Sequence, residues 1–331
     1  MAHGVGRDSH LVFHATQTGT YYIDAGGYNN NHNGTFTVHI EELDQFHHVK
    51  DFGLNWSPLA SGDFNHDNID DIIWDGGNGI EGGWLMDNGG QIAGTLQLPY
   101  FPGWHAVGTG DFNHDGNTDI MWQSDTNGLV AEWFMGNGTR QATMTIQTMP
   151  GWHVIATGDF NADGYGDVIW DNGQGVEGGW LMHDGQIAGT LQLPFFPGWT
   201  VQATGDFNHD GNTDILWQGA DGTIGEWVMG NGTRQGTIQL QNMATWTAIA
   251  SGDFNGDGTD DVLWRDTGGA TDAWFMHDGQ IQSTKFYGST AGWDVVMTGR
   301  LDDNGPDGIM WQNTTTAEVS AWHFDHQGNL I

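Results

Sequence analysis

From Trp56 to the C-terminus, short apolar runs alternate with clusters of Gly, Asn and Asp. In the stretch that begins at Trp104 the runs are Trp104 to Gly110, Asp119 to Gln123, Leu129 to Met135 and Gln141 to Gln147. Each is bounded by residues that supply tight turns, and Val, Ile, Thr and aromatic residues are prominent among them, so each predicts a β-strand. None carries apolar residues at the spacing of a helix face, which excludes a helical repeat.

The pattern returns at a fixed interval, and tryptophan marks it. The 18 Trp fall in six trios that begin at Trp56, Trp104, Trp152, Trp199, Trp246 and Trp293. Within a trio the spacing is 18 and then 10 or 11 residues, and successive trios begin 47 or 48 residues apart. Residues 82–99 nearly recur at 178–194, and Met-Gly-Asn-Gly-Thr-Arg-Gln occurs at 135–141 and again at 229–235, so the first pair of units reads as duplicated in the second pair. Four strands per unit in six units predict an all-β fold, a β-propeller of six four-stranded blades.

The sixth unit has three strands before Ile331. Phe46 to Phe52 stands ahead of Trp56 as Gln141 to Gln147 stands ahead of Trp152, and is the candidate for the missing strand. The expected organisation is a propeller over 44–331, its last blade closed by an N-terminal strand, and a small separate β segment over 1–43. An open arc of a larger propeller is the alternative.

Charge narrows the function. Asp and Glu number 42 against 7 Lys and Arg, a net charge of -35 in 331 residues. No basic surface is available to neutralise phosphates, so nucleic acid is excluded as a partner and an anionic membrane surface is disfavoured. No apolar stretch is long enough to span a bilayer, so membrane insertion is not expected. Cys is absent, which excludes disulfide staples and thiol chemistry. The N-terminal residues have no apolar core of a secretory signal, which fits a cytosolic chain, export by another route, or a piece of something longer.

The acidic residues concentrate between the first and second strands of a unit. Positions 1, 3, 5, 7 and 9 of these loops are Asp63, Asn65, Asp67, Ile69 and Asp71; Asp111, Asn113, Asp115, Asn117 and Asp119; Asp159, Asn161, Asp163, Tyr165 and Asp167; Asp206, Asn208, Asp210, Asn212 and Asp214; and Asp253, Asn255, Asp257, Thr259 and Asp261. Oxygens on alternate residues of a tight loop converge on one point, and the backbone carbonyl of position 7 joins them. A hard cation with flexible coordination, Ca²⁺, suits that donor set, whereas Mg²⁺ demands a stricter octahedron. About five structural Ca²⁺ per chain are expected, and the empty loops repel themselves, which couples binding to stability. The loops start like an EF-hand but place Trp where its bidentate Glu would be. The sixth loop has Arg300 at position 1 and Gly308 at position 9 and is expected to bind weakly or not at all.

The motif Asp-Phe-Asn-x-Asp-Gly-x-x-Asp followed by two aliphatic residues and Trp, at this period, resembles the FG-GAP/VCBS calcium-binding propeller repeats over about residues 56–331. The resemblance implies an extracellular, calcium-stabilised propeller of the kind found in integrin α-chain heads and, as accessory modules, in secreted bacterial adhesins and enzymes. It does not imply one ligand, and seven blades are common in that family where this chain counts six. Residues 18–24, Thr-Gly-Thr-Tyr-Tyr-Ile-Asp, and 34–38, Gly-Thr-Phe-Thr-Val, are similar to part of a bacterial pre-peptidase C-terminal β-sandwich. That similarity implies a longer parent protein with room for an upstream catalytic domain.

Other motifs read as structure. Gly77 to Gly82 and Gly173 to Gly178 match a dinucleotide-binding glycine pattern but precede no helix, and read as hairpin turns. The recurrent Trp read as packing between blades rather than a sugar-stacking array. His66, His114 and His209 read as scattered surface groups, and no catalytic constellation is found. The candidate ligand-facing features are Tyr100 and Phe101 and their copies Phe195 and Phe196, consecutive aromatics in Pro-framed inter-blade loops that either bind a glycan or protein or plug the gap between blades. The first functional expectation is a secreted bacterial, non-enzymatic binding or adhesion module. The alternatives are a non-catalytic accessory region of a secreted hydrolase, a peptidase for instance, and an enzyme acting at the central channel.

Overall fold

Left-handed turn residues set the hairpins. The dipeptides Asn137-Gly138, Asp184-Gly185, Asn231-Gly232 and Asp278-Gly279 each hold two consecutive residues at φ between 48° and 72°. Two such residues make the two-residue turn whose twist matches a right-twisted antiparallel pair, and Gly and Asn or Asp adopt it at least cost. The computed structural model describes residues 47–51, 56–76, 81–174, 177–303 and 305–331. All lie in the second of the two units, 1–43 and 44–331, into which the chain divides. The β-sandwich-like segment expected within 1–43 lies outside the described residues.

The strands form six four-stranded antiparallel sheets. Blade one is Ser57–Gly62, Asp71–Asp75, Glu81–Met86 and Ile92–Leu98; blade two is Trp104–Gly110, Asp119–Ser124, Leu129–Gly136 and Thr139–Thr148. Blade three is His153–Gly158, Asp167–Asp171, Glu177–His183 and Gln186–Leu193, and blade four is Trp199–Gly205, Asp214–Gly219, Thr223–Gly230 and Thr233–Asn242. Blade five is Trp246–Gly252, Asp261–Asp266, Ala270–His277 and Gln280–Ser289. Blade six takes Trp293–Gly299, Gly308–Asn313 and Glu318–Trp322 from the C-terminal end and His47–Asp51 from the N-terminal side. The last two pair antiparallel from His47 opposite Ala321 to Asp51 opposite Glu318. The first strands of successive blades are neighbours all the way round, that of blade six lying beside that of blade one. The ring is a closed six-bladed propeller, as the strand ahead of Trp56 predicts, and the larger-arc alternative falls. Among the described residues no helix is long and apolar enough to cross a membrane.

The core lies between blades. Phe64 and Ile73 of blade one meet Ile120, Trp122, Trp133 and Met135 of blade two. Five further clusters repeat that arrangement around the ring, the last joining Met310 and Val319 of blade six to Trp74 and Trp84 of blade one. In every blade the Trp of the second and third strands form a tilted pair with ring centroids 4.5 to 4.9 Å apart, as in Trp122 with Trp133. Their place in these interfaces makes them structural, which is the reading the repeat favours.

Two irregularities recur. A register shift interrupts the first strand of every blade, for instance between Ala106 and Gly108. A second falls just before the Met that ends the apolar run of the third strand in blades one to five, as between Phe134 and Met135. Such bulges bend a strand and release one N–H from the ladder.

A chain lacking residues 1–51 leaves Glu318–Trp322 as an open edge. With cross-strand pairs worth roughly 0.2–1 kcal/mol each, its Tm should fall by about 5 °C, and it should self-associate through that edge. Calorimetry and light scattering check this; an unchanged Tm and a clean monomer would contradict closure by this strand.

Candidate metal centre

Antiparallel order puts the five acidic loops and the third-to-fourth-strand hairpins at one end of the ring and the inter-blade loops at the other. Each acidic loop winds tightly through two left-handed residues. In loop two these are His114 (φ 58°) and Gly116 (φ 86°). Position 6 is Gly in four of the loops, and Asn68 holds the same conformation (φ 67°) in loop one.

The loop carboxylates turn inward on the backbone. In loop two the N–H of Asp115 donates to Asp111 Oδ1 (3.1 Å) and Asn113 Oδ1 (2.9 Å), bringing positions 1 and 3 to one point. Gly116 N–H donates to Asp111 Oδ2 (2.9 Å), and Asn117 N–H to Asp115 Oδ1 (2.9 Å). Position 7 likewise donates to position 5 in the other loops, from Ile69, Tyr165, Asn212 and Thr259 to Asp67, Asp163, Asp210 and Asp257. In loop five, Asp257 N–H reaches both Asp253 Oδ1 (3.1 Å) and Asn255 Oδ1 (2.9 Å).

Position 9 is buried. Asp71, Asp119, Asp167, Asp214 and Asp261 accept from the Met N–H beside the third-strand bulge, at 2.8 to 2.9 Å, from Met86, Met135, Met182, Met229 and Met276. Asp71, Asp167 and Asp261 also accept from the position-2 Phe, at 3.1 to 3.2 Å. The structure therefore gathers each predicted ligand set into one loop, with position 5 exposed, positions 1 and 3 half-buried and position 9 buried. Among the described residues no three Asp, Glu or His side chains form a ready-made metal cage, and backbone N–H groups take carboxylate oxygens of the loops. The donor set nevertheless fits a hard cation. Several buried loop oxygens have no donor: Asn117 Oδ1, Asn208 Oδ1, Asn212 Oδ1, Asp214 Oδ2 and Thr259 Oγ1.

The loops also join the blades. The carbonyl of position 1 accepts from the position-8 N–H of the next loop: Asp63 from Thr118 (2.7 Å), Asp111 from Gly166 (2.8 Å), Asp159 from Thr213 (2.7 Å), Asp206 from Asp260 (3.1 Å) and Asp253 from Asp307 (2.8 Å). The circle closes from Asp70 N–H to the Arg300 carbonyl, 2.9 Å. The side chains of Asp260, Asp307 and Asp70 accept in return from the N–H of Asp206, Asp253 and Arg300. His66 Nδ1 donates to the Gly116 carbonyl and His114 Nδ1 to the Gly164 carbonyl, both at 2.6 Å, and His209 donates likewise to Gly258. These three His are exposed as expected, but they bridge loops rather than scatter. The alternation of His at position 4 with Gly at position 6 of the next loop is the signal that could have found them.

At the opposite end, Tyr100 and Phe195 are exposed, at 50% and 39%. Phe101 turns inward, stacked on Trp104 with centroids 4.6 Å apart and lying against Trp122 and Trp133. Phe196 sits at the edge of Trp227 with Arg234 5.6 Å from its ring centre. The first loop thus offers one aromatic outward and one toward the blades, whereas in the second Phe196, at 37%, is about as exposed as Phe195. Phe286, on the fourth strand of blade five, is a further exposed aromatic.

Sequence reasoning missed four buried glutamates. Glu81 and Glu177 open the third strands of blades one and three, and Glu132 and Glu226 lie within those of blades two and four. A charged residue inside Leu-Val-Ala-Glu-Trp-Phe-Met was the available sign.

Burial, then the charge of Asp119, pushes Glu132 up to about 8. Burial, then Asp214 and Asp210, does the same for Glu226. Burial first, with neighbouring loop carboxylates adding to it, raises Asp119 to about 8 and Asp261 to about 9, against N–H donors that lower them. Burial also lifts Asp70, Asp260 and Asp307 to about 6. These groups keep a proton in the folded chain where the unfolded chain has lost it, so unfolding releases protons and stability falls as pH rises from about 4.5 to about 8. In chelator, Tm should therefore be higher at pH 5 than at pH 8 by calorimetry; a Tm that climbs over that range would contradict the assignment.

The family described as FG-GAP-like repeat matches residues 111–170 and 189–264. No curated protein matches the sequence. Among solved structures the chain is similar to Raptor of Chaetomium thermophilum, at 12% identity and a TM-score of 0.50, covering 85% of this chain and 29% of that one. It is also similar to a chain of the BBS1N–ARL6DN complex, at 12% identity and a TM-score of 0.49 over 87% of this chain and 97% of that one. At such identity the first likeness shows the propeller fold alone. The chain is an all-β, six-bladed propeller that is similar to FG-GAP-like repeats over residues 111–170 and 189–264.

Proposed function

We propose that this chain is an extracellular, non-catalytic binding module whose acidic loops hold structural Ca²⁺ and whose opposite end presents aromatic loops to a glycan or protein. The observation that carries the reading is the set of five equivalent loops at one end of the ring, each gathering three carboxylates, joined in loops two, four and five by buried amide or hydroxyl oxygens that have no donor. Positions 1, 3, 5 and 9 would supply side-chain oxygens, and the carbonyl of Ile69, Asn117, Tyr165, Asn212 or Thr259 a further one. A bound cation would draw the carboxylates off the backbone N–H groups and neutralise charge at the joints between blades. Exposed, weakly preorganised acidic loops suit the millimolar calcium found outside cells. Tyr100 and Phe195 give the other end large, half-exposed rings of the kind that stack on sugars or anchor a protein contact.

A thermal melt of the chelated chain with added Ca²⁺ or Mg²⁺, with bound metal counted, tests the cation. The expected result is a Ca²⁺-selective rise of at least about 10 °C with about five ions bound; no shift and no bound metal would sink it. On a glycan array, a Tyr100→Ala/Phe195→Ala variant should keep its Tm to within about 2 °C, since exposed substitutions cost little, and lose whatever the parent chain captures. Retained capture would move the ligand site elsewhere.

A further inference from the structure

Blades two and four carry a buried carboxylate that no other blade has at the same place. Glu132 pairs across the sheet with Met121, and Glu226 with Leu216. At that register the other blades have Gly83, Gly179, Ala273 and Ala321. Met121 and Leu216 stand two residues beyond position 9 of their loops, so strand alternation puts Glu132 on the same sheet face as Asp119 and Glu226 on that of Asp214.

Both glutamates are 0% exposed, and neither oxygen of either one has a hydrogen-bond partner. Each is walled in by the next blade. A Cβ added to Gly185 would come within 3.1 Å of Glu132 Oε2, and one on Gly279 within 2.9 Å of Glu226 Oε1. The N–H of those two glycines donates to the carbonyl at position 2 of the same loops, Phe112 and Phe207. The space holding each glutamate is therefore bounded by its own acidic loop and the hairpin of the following blade. A buried carboxylate with no donor needs a cation or a proton. Loop oxygens without donors concentrate at the same places: Asn117 Oδ1 in loop two, and Asn208 Oδ1, Asn212 Oδ1 and Asp214 Oδ2 in loop four.

We propose that Glu132 and Glu226 serve the cation sites of loops two and four as a fourth carboxylate, making these the two tightest calcium sites of the ring. The inference rests on the calcium reading of the loops. Loops one, three and five set three carboxylates against a divalent ion; loops two and four set four, the added one out of water, where charge acts most strongly. The duplication of units one and two into three and four accounts for there being two such sites.

Calcium titration of the chelated full chain against a chromophoric chelator tests this. The parent chain should show two ions bound about tenfold or more tightly than the rest. Glu132→Gln and Glu226→Gln should each move one ion into the weaker class, and the double variant should show a single weak class at unchanged total stoichiometry. Each variant's chelated Tm should stay level or rise, because a buried unpaired acid has gone. A tight class that survives in the double variant overturns the inference while leaving calcium binding intact. No calcium on the parent chain overturns the calcium reading itself. A lowered chelated Tm with affinity lost equally at every loop would mark the glutamates as folding determinants and also overturn the proposal.

Discussion

A carboxylate taken out of water has to be met by donors, and position 9 of the acidic loops is where this chain accepts that demand most often. Asp71, Asp119, Asp167, Asp214 and Asp261 are at most 1% exposed. An unmatched charge there would cost several kcal/mol. The bulge beside Met86 and its equivalents turns a ladder N–H toward the acid, and the tight loop brings the position-2 N–H back to it in blades one, three and five. The Phe at position 2 is itself locked in the core, as Phe112 is against blade three. In blades one to five, loop shape and third-strand bulge thus both serve one buried acid per blade.

The same loops make the joints of the ring, but through different atoms. Joining uses the backbone of positions 1 and 8, helped where position 8 is Asp or Thr by its side chain, as Thr213 accepts from Asp159 N–H. The proposed cation binding would use the side chains of positions 1, 3, 5 and 9. Blade six separates the two roles. It has Arg300 and Gly308 where the others have Asp, yet the Arg300 carbonyl still accepts from Asp70 N–H, its N–H donates to Asp70 Oδ2, and the circle stays closed. Joint geometry therefore survives loss of the ligand set.

Much of this was legible in the sequence because the repeat samples each position several times. Trp spacing gave the blade count, the strand ahead of Trp56 gave the closure, and the oxygen pattern marked the loops. What escaped depends on contacts between units, which a motif read within one unit does not contain. His66 is unremarkable until Gly116 of the next blade is beside it. Glu132 looks like a solvent-facing residue in an alternating strand until the hairpin at Gly185 covers it. Phe101 and Tyr100 are adjacent and alike in sequence, and only the packing on Trp104 separates the plug from the exposed ring.

The two ends of the ring are held by different forces, and this bears on what a cation can control. The acidic end is a circle of like charges whose buried members are pushed by burial to hold their protons. The other end is tied by contacts that use no acidic-loop carboxylate, among them the Arg265–Asp294 ion pair between blades five and six (3.7 Å). Gln123 Nε2 donates to the carbonyls of Met149 and Trp152, both at 3.1 Å, and Gln218 makes the same pair of bonds to Met243 and Trp246. The Phe101 N–H is accepted by the buried Glu81, and its ring rests on the Trp lattice of blade two. Neither set of contacts involves a loop carboxylate. Charge at the acidic end therefore sets how firmly the blades are joined, while the aromatic loops take their geometry from the apolar lattice beneath them.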